Sequence, residues 1–449
     1  GKLIGMERRH FLSLFSTTTA GLSAIGLRGG TRSALESERG VTAMGEIDQI
    51  REYLRENVLY TDKEVSDWIE GNITTYAKEK YDDELGWLPI EGQFRHGIDD
   101  SVCTYSYDGS SARRMIMYED KPCRINTYGN SFTHCDQVND GETWQEILAA
   151  HLCEPIRNFG VSGFSVYQAY LRLKREEARI PAEYIIFNIY SHDHYRNQAA
   201  WGPGNSKRPT MPYLKVNPST GEFVEYKNPC SMPESLYNRS DLDWLYETFK
   251  DDFRLKILLA RENLKANTPE KSYAAINDLA AEYGIKERVD SPQTLLQIAE
   301  TLFTKASFFA SMRIVEKVEE FASAQGKKVL YVLSYVSRHL AQSMREGSRF
   351  DREFVDFLQK KRLPYVDLLE AHHADFTQFK MGVDEYLNRY YIGHYSPRGN
   401  LFQASAIKNS LVKMLNPKPV PYGTVLRRTD GGVADDGFNP AGGDDGDSG

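Results

Sequence analysis

The stretch Arg124-Ile-Asn-Thr-Tyr-Gly-Asn-Ser-Phe-Thr-His-Cys-Asp-Gln-Val138 decides how the chain is read. Together with Cys123, its first residues make a short β-rich run over 123–128 that ends in a tight Gly129-Asn-Ser131 turn. An amphipathic helix is predicted over 143–152, with Trp144, Ile147, Leu148 and Leu152 on one face. A serine on such a turn stands at the carboxyl edge of a sheet, where open α/β folds bind their ligands.

Working outward, a second strand over 155–159 leaves through Gly160-Val-Ser-Gly163, and a helix is predicted over 166–178. Residues 184–190 are nearly all apolar, as a central parallel strand requires. Strands alternating with helices at this spacing imply a doubly wound parallel sheet of the α/β class. The rhythm then breaks. Residues 201–230 are rich in Pro, Gly and Asn, with a hairpin around Asn217-Pro-Ser-Thr-Gly221, and 240–325 read as almost wholly helical. The alternation resumes with a strand over 327–335, a helix over 352–361, a strand over 365–368 and a last helix over 401–415. Upstream, 46–57 and 62–80 read as helices and 81–89 as a turn into an extended segment. The expected organisation is one α/β domain over 35–426 carrying a largely helical insertion at about 198–310.

With 41% hydrophobic and 26% charged residues, the 449-residue chain has the composition of an ordinary globular protein. Its formal charge of −8 argues against a nucleic-acid partner, because a phosphate backbone selects a basic face. Residues 427–449, dominated by Asp and Gly from Asp430 onward, read as a disordered acidic tail. At the other end, Glu7-Arg-Arg-His-Phe-Leu-Ser13 precedes a weakly hydrophobic run over 14–27. Segment 1–34 therefore resembles a twin-arginine export signal, with Met6 read as the start. The run is shorter than the roughly 20 residues a membrane span needs, so no stable span is expected. The export machinery is the implied partner and the periplasm or exterior the implied destination, with membrane anchoring if the signal stays uncleaved. Five cysteines without CxxC spacing leave disulfides possible and unassigned.

A serine hydroxyl is a weak nucleophile until an adjacent base takes its proton. Tyr390-Tyr-Ile-Gly-His-Tyr-Ser-Pro-Arg-Gly-Asn400 places His394 in a loop just before the last helix, from which it can return to the sheet edge. His394 is the candidate base for Ser131. Acyl transfer also needs donors for an oxyanion. The Ser131 amide and Gly163 are candidates, and His192 in Ser191-His-Asp-His194 closes the third strand as a possible side-chain donor.

These residues resemble the SGNH (GDSL-type) hydrolase superfamily. Gly129-Asn-Ser131 is similar to its nucleophile block, Asn158-Phe-Gly-Val-Ser-Gly163 to its second block, Ser191-His-Asp193 to its third and Tyr391-Ile-Gly-His394 to its last. The run from Gly129 to Gln168 also follows a pattern seen in one bacterial exported branch: Gly-x-Ser-Phe-Thr, Val, Asp-x-x-Thr-Trp, Asn-Phe-Gly-Val-x-Gly, then Gln. The resemblance covers roughly 81–197 and 327–415 and implies a flavodoxin-like three-layer sandwich. It further implies a cofactor-free serine esterase in which Ser131 attacks, His394 moves the proton, and Gly163 with His192 helps hold the oxyanion.

Three positions depart from the family pattern. Asn130 replaces an Asp, His192 replaces the oxyanion Asn, and Tyr391 stands where an Asp would orient the histidine. Either a Ser–His dyad operates, or another carboxylate such as Asp384 or Asp367 reaches His394. The expected substrates are carboxylic esters, by family habit O-acetyl groups on extracellular or cell-wall glycans. Alternatives are a polysaccharide O-acyltransferase on the same fold and a catalytically weakened glycan-binding protein. His192 and His194, sharing one face of a strand end with His134 and Asp136 nearby, lack a clear third ligand, so no metal is expected. His372-His373 reads as a solvated loop pair.

Overall fold

The computed structural model describes residues 45–74, 77–201 and 208–423. The twin-arginine-like segment and the acidic tail lie outside the described residues. Two helices open the described chain, α1 (Glu46–Asn57) and α2 (Asp62–Glu70). A reciprocal capping box starts α2: Thr61 Oγ1 accepts from Glu64 N, and Glu64 accepts from Thr61 N. The helix predicted over 62–80 is corrected here, because Gly71 adopts φ 75° and caps α2 after one short run. The β-branched pair Ile73–Thr74 that follows forms β1, which pairs with β2 (Lys78–Asp82) and through it with β3 (Gly86–Ile90). A second hairpin joins β4 (Gly92–Arg95) to β5 (Val102–Tyr105).

The central sheet begins with β6 (Ile125–Tyr128), which runs into the short helix α3 (Ser131–His134). The serine is therefore the first residue of a helix rather than part of a plain turn. After α4 (Trp144–Leu152) come β7 (Arg157–Asn158), α5 (Val166–Arg179) and β8 (Tyr184–Tyr190). Every residue of β8 is buried, which explains its unbroken apolar sequence. Between β8 and the next sheet strand lie the hairpin β9 (Tyr213–Asn217) and β10 (Glu222–Tyr226), then α6 (Leu242–Phe249), α7 (Phe253–Lys265), α8 (Tyr273–Glu282) and the long α9 (Pro292–Ala324). The sheet resumes at β11 (Lys328–Ser334), followed by α10 (Ser337–Glu346), α11 (Arg352–Lys361) and β12 (Tyr365–Asp367). The last helices are α12 (Leu368–Phe376), α13 (Val383–Asn388) and α14 (Pro397–Met414).

Five strands form one parallel sheet in the order β12-β11-β8-β6-β7. The protein is thus α/β with a five-stranded parallel sheet and many helices. Each αβ crossover returns the chain so that β6, β8 and β11 end on the same edge, where the order of connections reverses between β6 and β8. One set of helices packs as α5–α9–α11 and another as α4–α14–α12. Buried residues of β8 and β11 belong to the main apolar cluster together with residues of these helices.

His372 corrects the expectation of a solvated pair. It is buried on α12, with Nδ1 on Tyr386 Oη at 2.9 Å and Nε2 on Tyr395 Oη at 2.8 Å. Burial pushes its pKa down to about 3. The Leu-Leu-x-x-His spacing puts this histidine on the buried face of a helix, where two phenols replace its water.

The loop leaving β7 crosses directly over α3. A Cβ on Gly160 would lie 2.1 Å from the His134 backbone nitrogen, and Val161 N donates to Gly129 O at 3.1 Å. Gly160→Ala should push this loop off the serine helix and destabilise the fold by roughly 1–3 kcal/mol. Thermal unfolding checks this, and an unchanged midpoint would contradict the close packing.

Candidate active site

Asn130 caps α3: its Oδ1 accepts from Phe132 N at 2.8 Å, which leaves the amide of Ser131 at the helix start without an intrahelical acceptor. Asn130 Nδ2 donates to Asp193 Oδ1 at 2.8 Å. Asparagine suits this position because an aspartate there would face a second carboxylate. Asp193 is anchored in turn by Tyr190 N at 3.1 Å and Arg196 at 2.9 Å. Burial raises its pKa to about 7 against the pull of Arg196. The ends of β6 and β8 are thereby tied together beneath Ser131.

His394 sits at the tip of a tight loop closed by a bridge between Tyr391 and Tyr395. Gly393 takes φ 119° there, and a Cβ would press on Gln137 Oε1 at 2.6 Å. The loop brings His394 Nε2 to 2.9 Å from Ser131 Oγ, although 263 positions separate the two residues. Ser131 is 7% exposed, so the hydroxyl sits in a nearly closed mouth. Burial lowers the His394 pKa below its usual value, Asp136 raises it, and His96, His134 and Arg196 add to the lowering.

The chain from His134 to Asp140 wraps around the buried side chain of Arg113. Its Nη1 donates to His134 O at 2.7 Å and Cys135 O at 2.8 Å, its Nη2 to Val138 O at 2.6 Å, and its Nε to Asp140 Oδ1 at 2.8 Å. Cys135 and Gln137 adopt φ of 66° and 74° in this loop. Asp136 is fully buried, accepts from Ser162 Oγ at 2.7 Å, pairs with His134 Nδ1 at 2.5 Å, and places Oδ2 at 3.7 Å from His394 Nε2. Burial alone would raise the Asp136 pKa, but His134, His394 and the Ser162 hydroxyl outweigh it and hold the carboxyl well below the usual range. Gln137 Oε1 accepts from His394 N at 2.7 Å and faces His394 Nδ1 at 3.2 Å.

Ser131 and His394 are brought together; the other candidates are placed as follows. Gly163 has φ 76° and lies under the Arg208 guanidinium, whose Nη1 is 2.2 Å from the position a Cβ would take. His192 Nε2 accepts from Arg338 Nη2 at 2.7 Å, which leaves Nδ1–H as its donor. Burial first, then the charge of Arg338, keeps this imidazole neutral. The shared face expected for His192 and His194 is not seen, because the chain enters a 3-10 turn at Asp193–Arg196 and His194 turns to Ser311 Oγ at 2.9 Å. Neither proposed carboxylate serves His394: Asp384 pairs with Arg345, and Asp367 with Arg349 at 2.8 Å. Tyr391 is buried and donates to Tyr335 O at 2.9 Å. Among the described residues no group of His, Cys, Asp and Glu is disposed to hold a metal ion. The five cysteines are free.

No family model matches the chain, and no curated protein matches it. Solved structures similar to it include two GDSL-type proteins. One is described as a lipolytic protein of the G-D-S-L family from Desulfitobacterium hafniense, at 10% identity and TM-score 0.27, covering 65% of this chain and 99% of that one. The other is a GDSL-like lipase from Bacteroides thetaiotaomicron, at 11% identity and TM-score 0.27, covering 66% of this chain and 91% of that one. At such scores the likeness carries no argument about this chain, whose site rests on its own geometry.

Sequence reasoning missed Gln137, and it weighed Asp136 only as a metal ligand. Both lie in the stretch that holds the serine, but their approach to His394 depends on two left-handed residues and on Arg113, which spacing does not reveal. Arg113→Met should remove a charged donor from three buried carbonyls and from Asp140, at a cost of roughly 3–5 kcal/mol. Denaturant unfolding measures this, and a loss within 0.5 kcal/mol, about that of a surface change, would contradict the role.

Proposed function

We propose that this protein is a serine esterase of the SGNH type, built on a doubly wound three-layer α/β sandwich. The contact of 2.9 Å between Ser131 Oγ and His394 Nε2 carries the reading. A hydroxyl that near an imidazole nitrogen, at the carboxyl edge of a parallel sheet, is the pairing that activates a serine.

In the proposed reaction Ser131 Oγ attacks an ester carbonyl as its proton passes to His394 Nε2. The carbonyl π electrons move to oxygen, and the amides of Ser131 and Gly163 with His192 Nδ1–H hold that oxyanion. When the tetrahedral centre collapses, the C–O bond to the alcohol breaks and His394 gives its proton to the leaving oxygen. Water, deprotonated by His394, then attacks the acyl-enzyme; the acyl C–Oγ bond breaks, His394 returns the proton to Ser131 Oγ, and the carboxylic acid leaves. The preferred substrates are O-acetyl groups on extracellular or cell-wall glycans. The arginine pair near the N-terminus supports export by the twin-arginine route.

Ser131→Ala should abolish turnover of p-nitrophenyl acetate, and unchanged activity in that variant would refute the assignment. The base works only while neutral. Because burial leads the other groups in lowering the His394 pKa, kcat/KM should hold as pH falls through about 6.5 and drop only at lower pH. An acid limb centred above roughly pH 7 would contradict this.

A further inference from the structure

No carboxylate stands at Tyr391, and Asp384 and Asp367 are paired with arginines elsewhere. The group at His394 Nδ1 is the Gln137 side-chain amide, whose Oε1 takes both the backbone N–H and the ring nitrogen of His394. The Nε2 of the same amide donates to His96 O at 2.9 Å and to Ile392 O at 3.2 Å. Those two carbonyls set which way the amide points, since only an NH2 group satisfies both. A carboxylate in its place would turn an oxygen against two carbonyl oxygens in a buried setting. The position therefore suits an uncharged orienter and opposes a charged one.

Negative charge arrives from the next residue. Asp136 Oδ2 lies 3.7 Å from Nε2, the nitrogen that also faces Ser131. The ionisable neighbours acting most on His394 include Asp136, His96, His134 and Arg196, and Asp136 is the anion of these four. Its place is held by Ser162 Oγ and by His134, whose Nε2 in turn meets Tyr107 Oη at 2.6 Å. The phenols of Tyr391 and Tyr395 beside the loop are buried, and burial keeps them protonated.

We propose that two tasks commonly combined in one carboxylate are divided here between adjacent residues: Gln137 orients His394 through Nδ1–H, and Asp136 supplies the charge that steadies its protonated form. The proposal rests on the serine-esterase reading. Gln137 is a positioning residue, since it acts through His394. During attack the proton from Ser131 arrives on Nε2 facing Asp136, while Nδ1–H stays on Gln137.

The test is histidine-selective 1H–15N spectroscopy of the full chain, joined to pH profiles with p-nitrophenyl acetate. In the wild type His394 should be neutral with its proton on Nδ1. Gln137→Met, checked for folding by circular dichroism, should lose that tautomer preference and lower kcat on the order of 10²–10³-fold with little change in KM. Asp136→Asn should move the His394 titration down by on the order of one pH unit, with the acid limb following. Should Asp136→Asn not fold, Ser162→Ala removes a donor from the carboxylate and should move the titration upward. An unchanged tautomer in Gln137→Met, or an unmoved titration in the Asp136 and Ser162 variants, overturns the proposal. The spectra need no turnover. A wild type without esterase activity whose His394 still responds to both changes would refute the enzyme reading and leave this division standing.

Discussion

The Arg113 guanidinium is the constraint on which the rest of the site depends. It is buried, stacks on the Tyr105 ring at 4.4 Å, and spends its donors on three carbonyls and one carboxylate of the chain between His134 and Asp140. A buried cation is costly unless its donors are all satisfied in good geometry, and here the loop supplies the acceptors. In return the loop holds Cys135 and Gln137 in left-handed conformations, each disfavoured by roughly 1–2 kcal/mol for a residue with a Cβ. Asp136 and Gln137 can face His394 because that conformation is held.

The electrostatics of the site follow from this arrangement. His394 must be neutral to accept a proton, and burial favours that state. Asp136 works in the other direction, and in the proposed reaction it would stabilise the imidazolium formed on attack. A chain of Tyr107, His134 and Asp136, joined by Ser162 from the loop that ends at Gly163, keeps the carboxylate in place. The proposed base, the carboxylate beside its Nε2 and the expected oxyanion loop thus share one buried polar network, in which losing a member leaves others unsatisfied.

How far the sequence could be read depended on whether local periodicity carried the information. The strands β6, β8, β11 and β12 and the helices α1, α4, α5 and α14 were legible because unbroken apolar runs or 3.6-residue spacing mark them. The helix expected over 62–80 failed because Gly71 is an end cap. The pairing of Ser131 with His394 was legible from turn chemistry and position in the alternation. The orienter was not. It was sought at Tyr391 or in a carboxylate such as Asp384 or Asp367, whereas Gln137 reaches His394 from the serine loop. Nor did sequence show that an exposed-looking histidine pair on α12 would place His372 between two phenols.

The central claim is that Ser131 is a nucleophile activated by His394. Peptide mass spectrometry after exposure to a fluorophosphonate ester tests it most directly. The account predicts one adduct, on Ser131, formed quickly by the wild type and at least roughly 1000-fold more slowly by His394→Ala. An adduct elsewhere, or labelling of Ser131 at the same rate without His394, would contradict it.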